Sequence, residues 1–167
     1  MSDTPRRNEP AWERELETLL PLFGHRNWIV VADSAYPAQS KPGIETLVSG
    51  AGQLEVVEKV LAAIRASRHV RANVYLDQEL DSVPESDAAG VTRYRQQLAG
   101  LLSNAGHTSL PHEQIIAKLD QVSQVFRVLI IKTELTIPYT TVFFELNCAY
   151  WSADSEAKLR KAMAASS

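Results

Sequence analysis

A histidine and an aspartate flank the most strand-like stretch in the first part of the chain. Residues 28–32 are apolar, largely β-branched and bounded by turn-forming residues, which predicts a buried strand. His25 precedes this strand and Asp33 follows it. An imidazole and a carboxylate can exchange protons near neutral pH, which is acid/base chemistry. Because open α/β sheets bind ligands beyond the carboxyl ends of their strands, we expect Asp33 to face a ligand.

The distance between these two side chains limits how they could cooperate. An extended strand rises about 3.3 Å per residue, so the segment from His25 to Asp33 spans about 20–26 Å. One small-molecule pocket in a single subunit cannot easily hold both side chains. Either a neighbouring subunit supplies one of them, or the chain folds back before Trp28. Spacing alone favours a third interpretation, in which His25 belongs to a turn that ends a helix and Asp33 caps a loop.

Other ionisable groups stand near predicted strand ends or loops, and each also has a purely structural interpretation. A histidine in the first turn of a helix, a tyrosine in the core or an interface, and charges at a solvated strand end are all ordinary. Glu145 lies in an apolar run, where a charge is costly unless it is paired or exposed, so it faces outward or belongs to a site. The groups are His112, Lys132, Glu134, Tyr139 and Glu145, with Asp77 at the end of another predicted strand.

The chemistry that such groups permit is the interconversion of cyclic sugar forms. This reaction delivers a proton to the ring oxygen while another proton leaves the anomeric hydroxyl. A histidine paired with a carboxylate or a phenol suits that task near neutral pH. The reaction requires no metal, no nucleotide and no covalent intermediate. Composition permits this chemistry without establishing it.

Several other chemistries lack their motifs here. The sequence contains no glycine-rich dinucleotide or phosphate loop, no nucleophile elbow, and no metal-ligand spacing among its 4 histidines, so we predict no cofactor and no metal. A net charge of -3 without a basic cluster argues against nucleic acid. No run approaches the roughly 20 apolar residues of a membrane span, and the N-terminus has no apolar signal core. The single Cys148 is typical of a reducing compartment, which predicts a cytoplasmic protein.

Alternating helical and strand patterns predict a layered α/β domain with a mostly parallel central sheet flanked by helices. We expect a flexible tail over residues 1–10, the domain over 11–150, and a C-terminal helical extension over 151–167. The last two strands are expected to be sheet neighbours joined by a hairpin or a bend. The predicted helices cover residues 12–23, 53–68, 91–104, 109–124 and 153–165, and the predicted strands cover 28–32, 44–48, 70–76, 125–131 and 139–148.

Four short segments, in order along the chain, resemble the D-ribose pyranase / L-fucose mutarotase family. Together they span roughly residues 16–150. They are Gly24-His25 with Ala32-Asp33-Ser34-Ala35 after an apolar strand, then Arg93-Tyr94-Arg95, then Leu110-Pro111-His112-Glu113, and finally Lys132-Thr133 with Pro138-Tyr139.

The resemblance implies an isomerase that interconverts anomers or ring forms of a free monosaccharide. It implies a subunit that assembles into a ring-shaped homo-oligomer, commonly a decamer, with sites between neighbouring subunits. By the same resemblance, His25 is the proposed acid/base, and Asp33 binds sugar hydroxyls. Tyr139 lines the site, and His112 and Thr141 assist binding.

The chain departs from the family pattern in two segments and at its C-terminus. Thr141 stands where the family has the asparagine of Tyr-x-Asn, and Glu134 follows Thr133 where the family has Thr-Gly-Glu. These differences leave two alternatives open. One is a non-catalytic monosaccharide-binding or sensory module that kept the fold and the oligomer. The other is turnover of a different polyol or sugar acid, with Glu134 or Glu145 as a new carboxylate.

Overall fold

Six strands form one sheet in the computed structural model, which describes residues 9–166. The spatial order is β2-β5-β1-β6-β3-β4, and only β6 runs antiparallel to its neighbours. The strands are β1 (Trp28–Ala32), β2 (Ile44–Val48), β3 (Val70–Asp77), β4 (Thr108–Leu110), β5 (Val128–Lys132) and β6 (Val142–Cys148). The helices are α1 (Ala11–Leu19), α2 (Gln53–Ala66), α3 (Val91–Leu101), α4 (His112–Val122) and α5 (Ala153–Ala165), with a 3-10 turn over Gln78–Ser82.

Helices cover both faces of the sheet. Successive strand residues point to opposite faces, so β1 contributes to two separate cores. Ile29 and Val31 belong to the core that includes side chains of α1, α2 and α3. Val30 belongs to the other core, which α4 closes with Ile115 and Leu119. Every residue of β1 is buried because the strand is covered on both faces, which explains its unbroken apolar run. The predicted layered α/β domain with a mostly parallel sheet is confirmed.

The predicted pairing of the last two strands is wrong. β1 lies between β5 and β6, parallel to the first and antiparallel to the second. Residues 133–141 therefore cross over the carboxyl end of β1 instead of forming a hairpin. Two hydrogen bonds from Ser34 hold this crossing segment: its amide donates to Leu135 O at 2.9 Å and its Oγ donates to Thr133 O at 2.9 Å. The crossing brings residues that are distant in sequence to the end of β1.

The predicted helix over 109–124 begins later than expected. Thr108–Leu110 forms a short parallel strand beside β3. Pro111 has no N–H for further strand pairing, and its ψ of 138° keeps it just outside the helix, so His112 is the first helical residue. This start places His112 at the same sheet edge as the end of β3.

Two further features concern the ends of the chain. The tail predicted over residues 1–10 lies almost entirely outside the described residues. At the other end, α5 contains no buried residue. Across residues 9–166, no helix has both the length and the apolar character needed to cross a membrane.

Candidate functional site

The carboxyl ends of β1 and β3 open into a cavity of about 410 Å³, which we call the Asp33 cavity. Asp33 directly follows β1, Asp77 ends β3, and His112 begins α4. The segment that crosses the end of β1 supplies the remaining groups. Five residues singled out in the sequence meet here, together with Tyr36. The polar lining includes Asp33, Tyr36, Asp77, His112, Tyr139 and Thr141.

A carboxylate and an imidazole form a hydrogen-bonded pair in this cavity. Asp77 Oδ1 lies 3.0 Å from Nδ1 of His112, and Asp77 is only 2 % exposed. Burial raises the pKa of the Asp77 carboxyl above its ordinary value, although the hydrogen bond and charge of His112 oppose this effect. With Nδ1 bonded to Asp77, Nε2 is the ring nitrogen of His112 left for exchanging a proton with a ligand.

The backbone of His112 is also fixed. Its amide donates to both carboxylate oxygens of Glu79, each at 3.0 Å. Glu79 therefore satisfies an amide of the first turn of α4, where a negative charge is favourable. Asp77 holds the imidazole of His112 and Glu79 holds its main-chain amide, so both the side chain and the backbone of this residue are oriented.

Two polar atoms of residues that line the Asp33 cavity are buried and make no hydrogen bond of normal geometry within residues 9–166, although Gln39 lies near enough to the Tyr36 phenol to lower its pKa slightly. The two atoms are Oδ2 of Asp77 and Oη of Tyr36. Burial raises the pKa of Tyr36 to about 12, and the nearby charges of Asp77 and Asp120 add to the effect, so the phenol is neutral near pH 7. A buried polar group without a partner costs about 1–3 kcal/mol. A ligand that carries several hydroxyl groups could satisfy both atoms at once.

Asp33 and Tyr139 stand at the mouth of the same cavity. Oδ2 of Asp33 accepts a hydrogen bond from the amide of Ala35 at 3.3 Å, which restrains the carboxylate in its turn. Tyr139 has a φ of +59°, a left-handed conformation that is uncommon for a residue with a side chain. Its ring meets the ring of His112 edge-on, with centroids 5.8 Å apart. Local backbone strain of this kind is often found in ligand-binding segments.

A buried glutamine supports the crossing segment from below. Nε2 of Gln53 donates to Val31 O at 3.0 Å and to Thr140 O at 2.8 Å, while its Oε1 accepts from Thr133 Oγ1 at 2.7 Å. Tyr94 Oη also donates to Thr140 O, at 2.8 Å. All polar atoms of this network are used, so it fixes the segment that carries Tyr139 and Thr141 relative to β1.

His25 lies elsewhere. It lines a second cavity of about 740 Å³, which we call the His25 cavity, together with Arg26, Arg71 and residues of the C-terminal extension. This cavity is at the amino end of β1, whereas the Asp33 cavity is at the carboxyl end. A single chain therefore does not bring His25 to Asp33, as the length of the strand predicts.

The other candidate carboxylates do not line the Asp33 cavity. Glu134 is exposed, and its amide donates to Ala51 O at 3.0 Å. Glu145 lies in β6 opposite Asn73, whose Nδ2 donates to it at 3.3 Å. Sequence reasoning noted the strand-end position of Asp77, but it gave no signal for the pairing of Asp77 with His112. Tyr36 was missed, because a tyrosine in a loop carries no sign that it will be buried beside a cavity.

No arrangement typical of a metal centre is found in the part of the chain that the structure describes. There, no group of three or more histidine, cysteine, aspartate or glutamate side chains is placed to hold a metal ion. The Asp33 cavity instead combines carboxylates, one imidazole and two phenols, a set suited to hydrogen bonding with hydroxyls and to proton transfer.

Comparison with known proteins identifies a family whose model matches this chain. A model of the RbsD / FucU transport protein family matches residues 7–148. The match ends at the last residue of β6, so the segment that contains α5 lies beyond it. None of the curated proteins matches the sequence at a significant level.

Solved structures share the fold. RbsD of Bacillus subtilis complexed with D-ribose is 19% identical, with a TM-score of 0.57, and the match covers 88% of this chain and 98% of that one. The fucose mutarotase of Streptococcus pneumoniae in complex with L-fucose is 19% identical, with a TM-score of 0.53 and the same coverage of 88% and 98%. At these identities the likeness shows a common fold.

Proposed function

The chain belongs to the RbsD / FucU transport protein family, and from that membership and its cavity we propose that it interconverts cyclic forms of a free monosaccharide. The reaction proceeds by general acid/base catalysis without a cofactor. Two proteins of the same fold were solved with D-ribose and with L-fucose, which supports a monosaccharide as the ligand class.

The observation that carries this proposal is the pair of buried polar atoms at the Asp33 cavity, of which Oδ2 of Asp77 has no partner within residues 9–166 and Oη of Tyr36 has only Gln39 nearby. Oδ2 of Asp77 is an acceptor and Oη of Tyr36 is a neutral phenol that can donate and accept. Neighbouring hydroxyls of a sugar supply a donor and an acceptor at short spacing. A cavity of about 410 Å³ is large enough for one monosaccharide.

The proposed reaction moves two protons and breaks one bond. An acid donates a proton to the ring oxygen, a base removes the proton of the anomeric hydroxyl, and the bond between the anomeric carbon and the ring oxygen breaks. The product is the open-chain carbonyl form. Reclosure by the same hydroxyl on the other face gives the other anomer, and reclosure by a different hydroxyl changes the ring size. No atom is gained or lost overall.

We assign one proton-transfer role to His112 through Nε2, because Asp77 holds its Nδ1 at 3.0 Å. The second acid/base in this proposal is His25 of a neighbouring subunit in a ring-shaped homo-oligomer. Asp33, Tyr139 and Thr141 bind the sugar hydroxyls. The opposite positions of the two cavities on β1 are compatible with this arrangement, because a site shared by two copies needs complementary groups on separate surfaces.

A second candidate is a sugar-binding or sensory module without catalysis. The separation of His25 from the Asp33 cavity favours this alternative, since one chain holds the binding groups without that histidine. Binding would then require only the pair of Asp77 with His112 and the residues around it.

Exchange spectroscopy by NMR separates the two candidates. The protein is added in catalytic amount to D-ribose, L-fucose, D-galactose and D-glucose at equilibrium, and the exchange rate between cyclic forms is compared with buffer alone. The proposal expects at least one sugar to exchange faster. Thermal stabilisation by a sugar whose exchange rate stays at the buffer value would instead support the binding module. Neither stabilisation nor faster exchange with any of these sugars would contradict both candidates for neutral monosaccharides.

A further inference from the structure

The His25 cavity contains an excess of positive charge. Three arginines line it, and Glu156 is the one carboxylate among its lining residues. His25 and His69 add two imidazoles. The protein as a whole has a net charge of -3, so this local excess is opposite in sign to the charge of the molecule. A concave surface of one charge sign concentrates small ions of the other sign.

The single carboxylate is already engaged. Oε2 of Glu156 accepts from Trp151 Nε1 at 2.7 Å, and Oε1 accepts from Arg160 Nε at 2.7 Å. These two hydrogen bonds hold the pKa of Glu156 below its usual value. Glu156 therefore uses both of its oxygens, and it pairs at the surface with Arg160 one turn further along α5.

The arginines keep donors for a ligand. Among the hydrogen bonds of residues 9–166, Arg71 and Arg160 use only Nε, to Cys148 O at 3.3 Å and to Glu156 respectively. The guanidinium of Arg26 lies over the Phe126 ring, 5.5 Å from its centroid, which orients the group without using its N–H donors. Terminal guanidinium N–H groups bind two oxygens of one phosphate or carboxylate in a planar, paired geometry.

We propose that the His25 cavity is a binding site for an oxyanion, and that the monosaccharide this protein acts on carries a phosphate or carboxylate group. The claim that the substrate is acidic rests on the proposed function, in which His25 contacts the sugar. The claim that the His25 cavity binds an oxyanion rests only on residues of this chain. Arginines can donate to the hydroxyls of a neutral monosaccharide, but only an oxyanion both accepts these hydrogen bonds and neutralises the positive charge.

The C-terminal extension supplies part of this site. Trp151, Glu156 and Arg160 all lie after residue 148, where the family match ends. The extension therefore adds a cation and its paired carboxylate next to His25. Since α5 has no buried residue, contacts within the core do not account for it.

Isothermal titration of the full-length protein with inorganic phosphate tests the anion site directly. The variants are R71Q and R160A, and the matched control is K161A, which removes a neighbouring cation of α5 that does not line the cavity. We expect each arginine variant to bind phosphate about tenfold more weakly, as for loss of one charge-assisted hydrogen bond, while the control binds like the wild type. Absence of phosphate binding by the wild type, or equal weakening by K161A, would overturn the site.

A second titration identifies the substrate class. D-ribose is compared with D-ribose 5-phosphate, and D-galactose with D-galactose 6-phosphate and D-galacturonate, in the same buffer. Tighter binding of an anionic member, lost in R71Q and R160A, supports an acidic sugar, and the preferred member distinguishes phosphate from carboxylate. Faster exchange of neutral sugars alone, with no binding of the anionic ones, would overturn this inference while the proposed function stands. Phosphate binding at the arginines without exchange of any sugar would uphold the anion site and defeat the proposed function.

Discussion

The two ends of β1 differ in almost every physical property. At the carboxyl end, the Asp33 cavity holds a buried carboxylate bonded to an imidazole, and a buried glutamine network supports the segment above it. At the amino end, the His25 cavity is lined by exposed arginines and by a helix without buried residues. The first end holds its side chains in fixed orientations. The second carries an excess of positive charge, and its parts are held by surface contacts.

Under the proposed function, this difference lets one strand serve two purposes. Proton transfer needs side chains held within a fraction of an ångström, which requires burial and a network of satisfied hydrogen bonds. Selection of a charged group needs only donors in a water-accessible concave surface. A change of substrate could therefore arise at the exposed end while the buried end stays as it is.

The largest expected effect is loss of exchange in H112A. Removal of an oriented acid/base lowers the rate by about 10²–10³-fold, because the proton must then be transferred by water. H107A is the matched control, since His107 is exposed and does not line the Asp33 cavity. NMR exchange rates measure both variants. Full activity in H112A would show that the pair with Asp77 is structural.

The next largest expected effect is a loss of stability when the buried Gln53 is removed. Q53A leaves Thr133 and the Val31 carbonyl without their buried partner and opens a cavity, so the free energy of unfolding should fall by about 2–4 kcal/mol. Q97A is the control, because Gln97 is exposed. Urea denaturation gives both values. A change below about 0.5 kcal/mol in Q53A would mean that water replaces the side chain and that the two ends differ less in rigidity than we describe.

Several strands and helices could be predicted from the sequence, because the residue patterns that indicate them are local. β1 and β2 were predicted to the residue, since short apolar runs between turn formers leave little choice. The order of strands was not predictable in this way, and β5 and β6 were wrongly paired, because nothing near their connection shows that β1 lies between them. The resemblance led to Asp33, His112, Tyr139 and Thr141, and these line one cavity.

Long-range pairing accounts for what sequence reasoning missed in the site. Asp77 and His112 are 35 positions apart and meet only because β3 and the start of α4 share a sheet edge. Tyr36 lies in a loop, and its burial depends on α4 packing over it. Whether these residues bind sugar stays a prediction.

D77N is expected to raise the stability of the protein, by less than Q53A lowers it. Burial raises the pKa of Asp77, so the fold favours the protonated carboxyl; this contribution to stability is complete below the ordinary value of 3.8 and is lost as the pH rises through the folded-state pKa. Above its folded-state pKa the wild-type carboxyl therefore holds a disfavoured buried charge. An asparagine keeps an acceptor for His112 Nδ1 without that charge. D77N should melt about 2–4 °C higher at pH 7 and bind sugar more weakly, a trade-off common at functional sites.

The pH dependence supplies the control for this prediction. The stability difference between D77N and the wild type should shrink as the pH falls toward 3.8, because the wild-type carboxyl then becomes neutral as well. Thermal melts across this range measure it. A D77N variant that is less stable than the wild type at pH 7 would mean that the ionised pair with His112 stabilises the fold.

The smallest expected effect is that of removing the C-terminal extension. A chain that ends at Tyr150 should unfold with a free energy within about 0.5 kcal/mol of the full-length value, because no side chain of α5 is buried. The same truncation should weaken phosphate binding in the His25 cavity. Chemical denaturation and phosphate titration of one sample test both statements. A loss of stability above about 2 kcal/mol would show that α5 packs against another surface, such as a second copy.

Mixing two inactive variants tests most directly whether the two ends of β1 act together across subunits. H25A and H112A are purified, unfolded together in equal amounts and refolded, and NMR exchange is measured on the mixture and on each variant refolded alone. If one site takes His25 from one copy and His112 from another, each variant alone is inactive and about a quarter of the sites in the mixture hold both histidines, which restores about a quarter of the wild-type rate. A mixture with no more activity than its components, or an H25A protein as active as the wild type, would contradict the account.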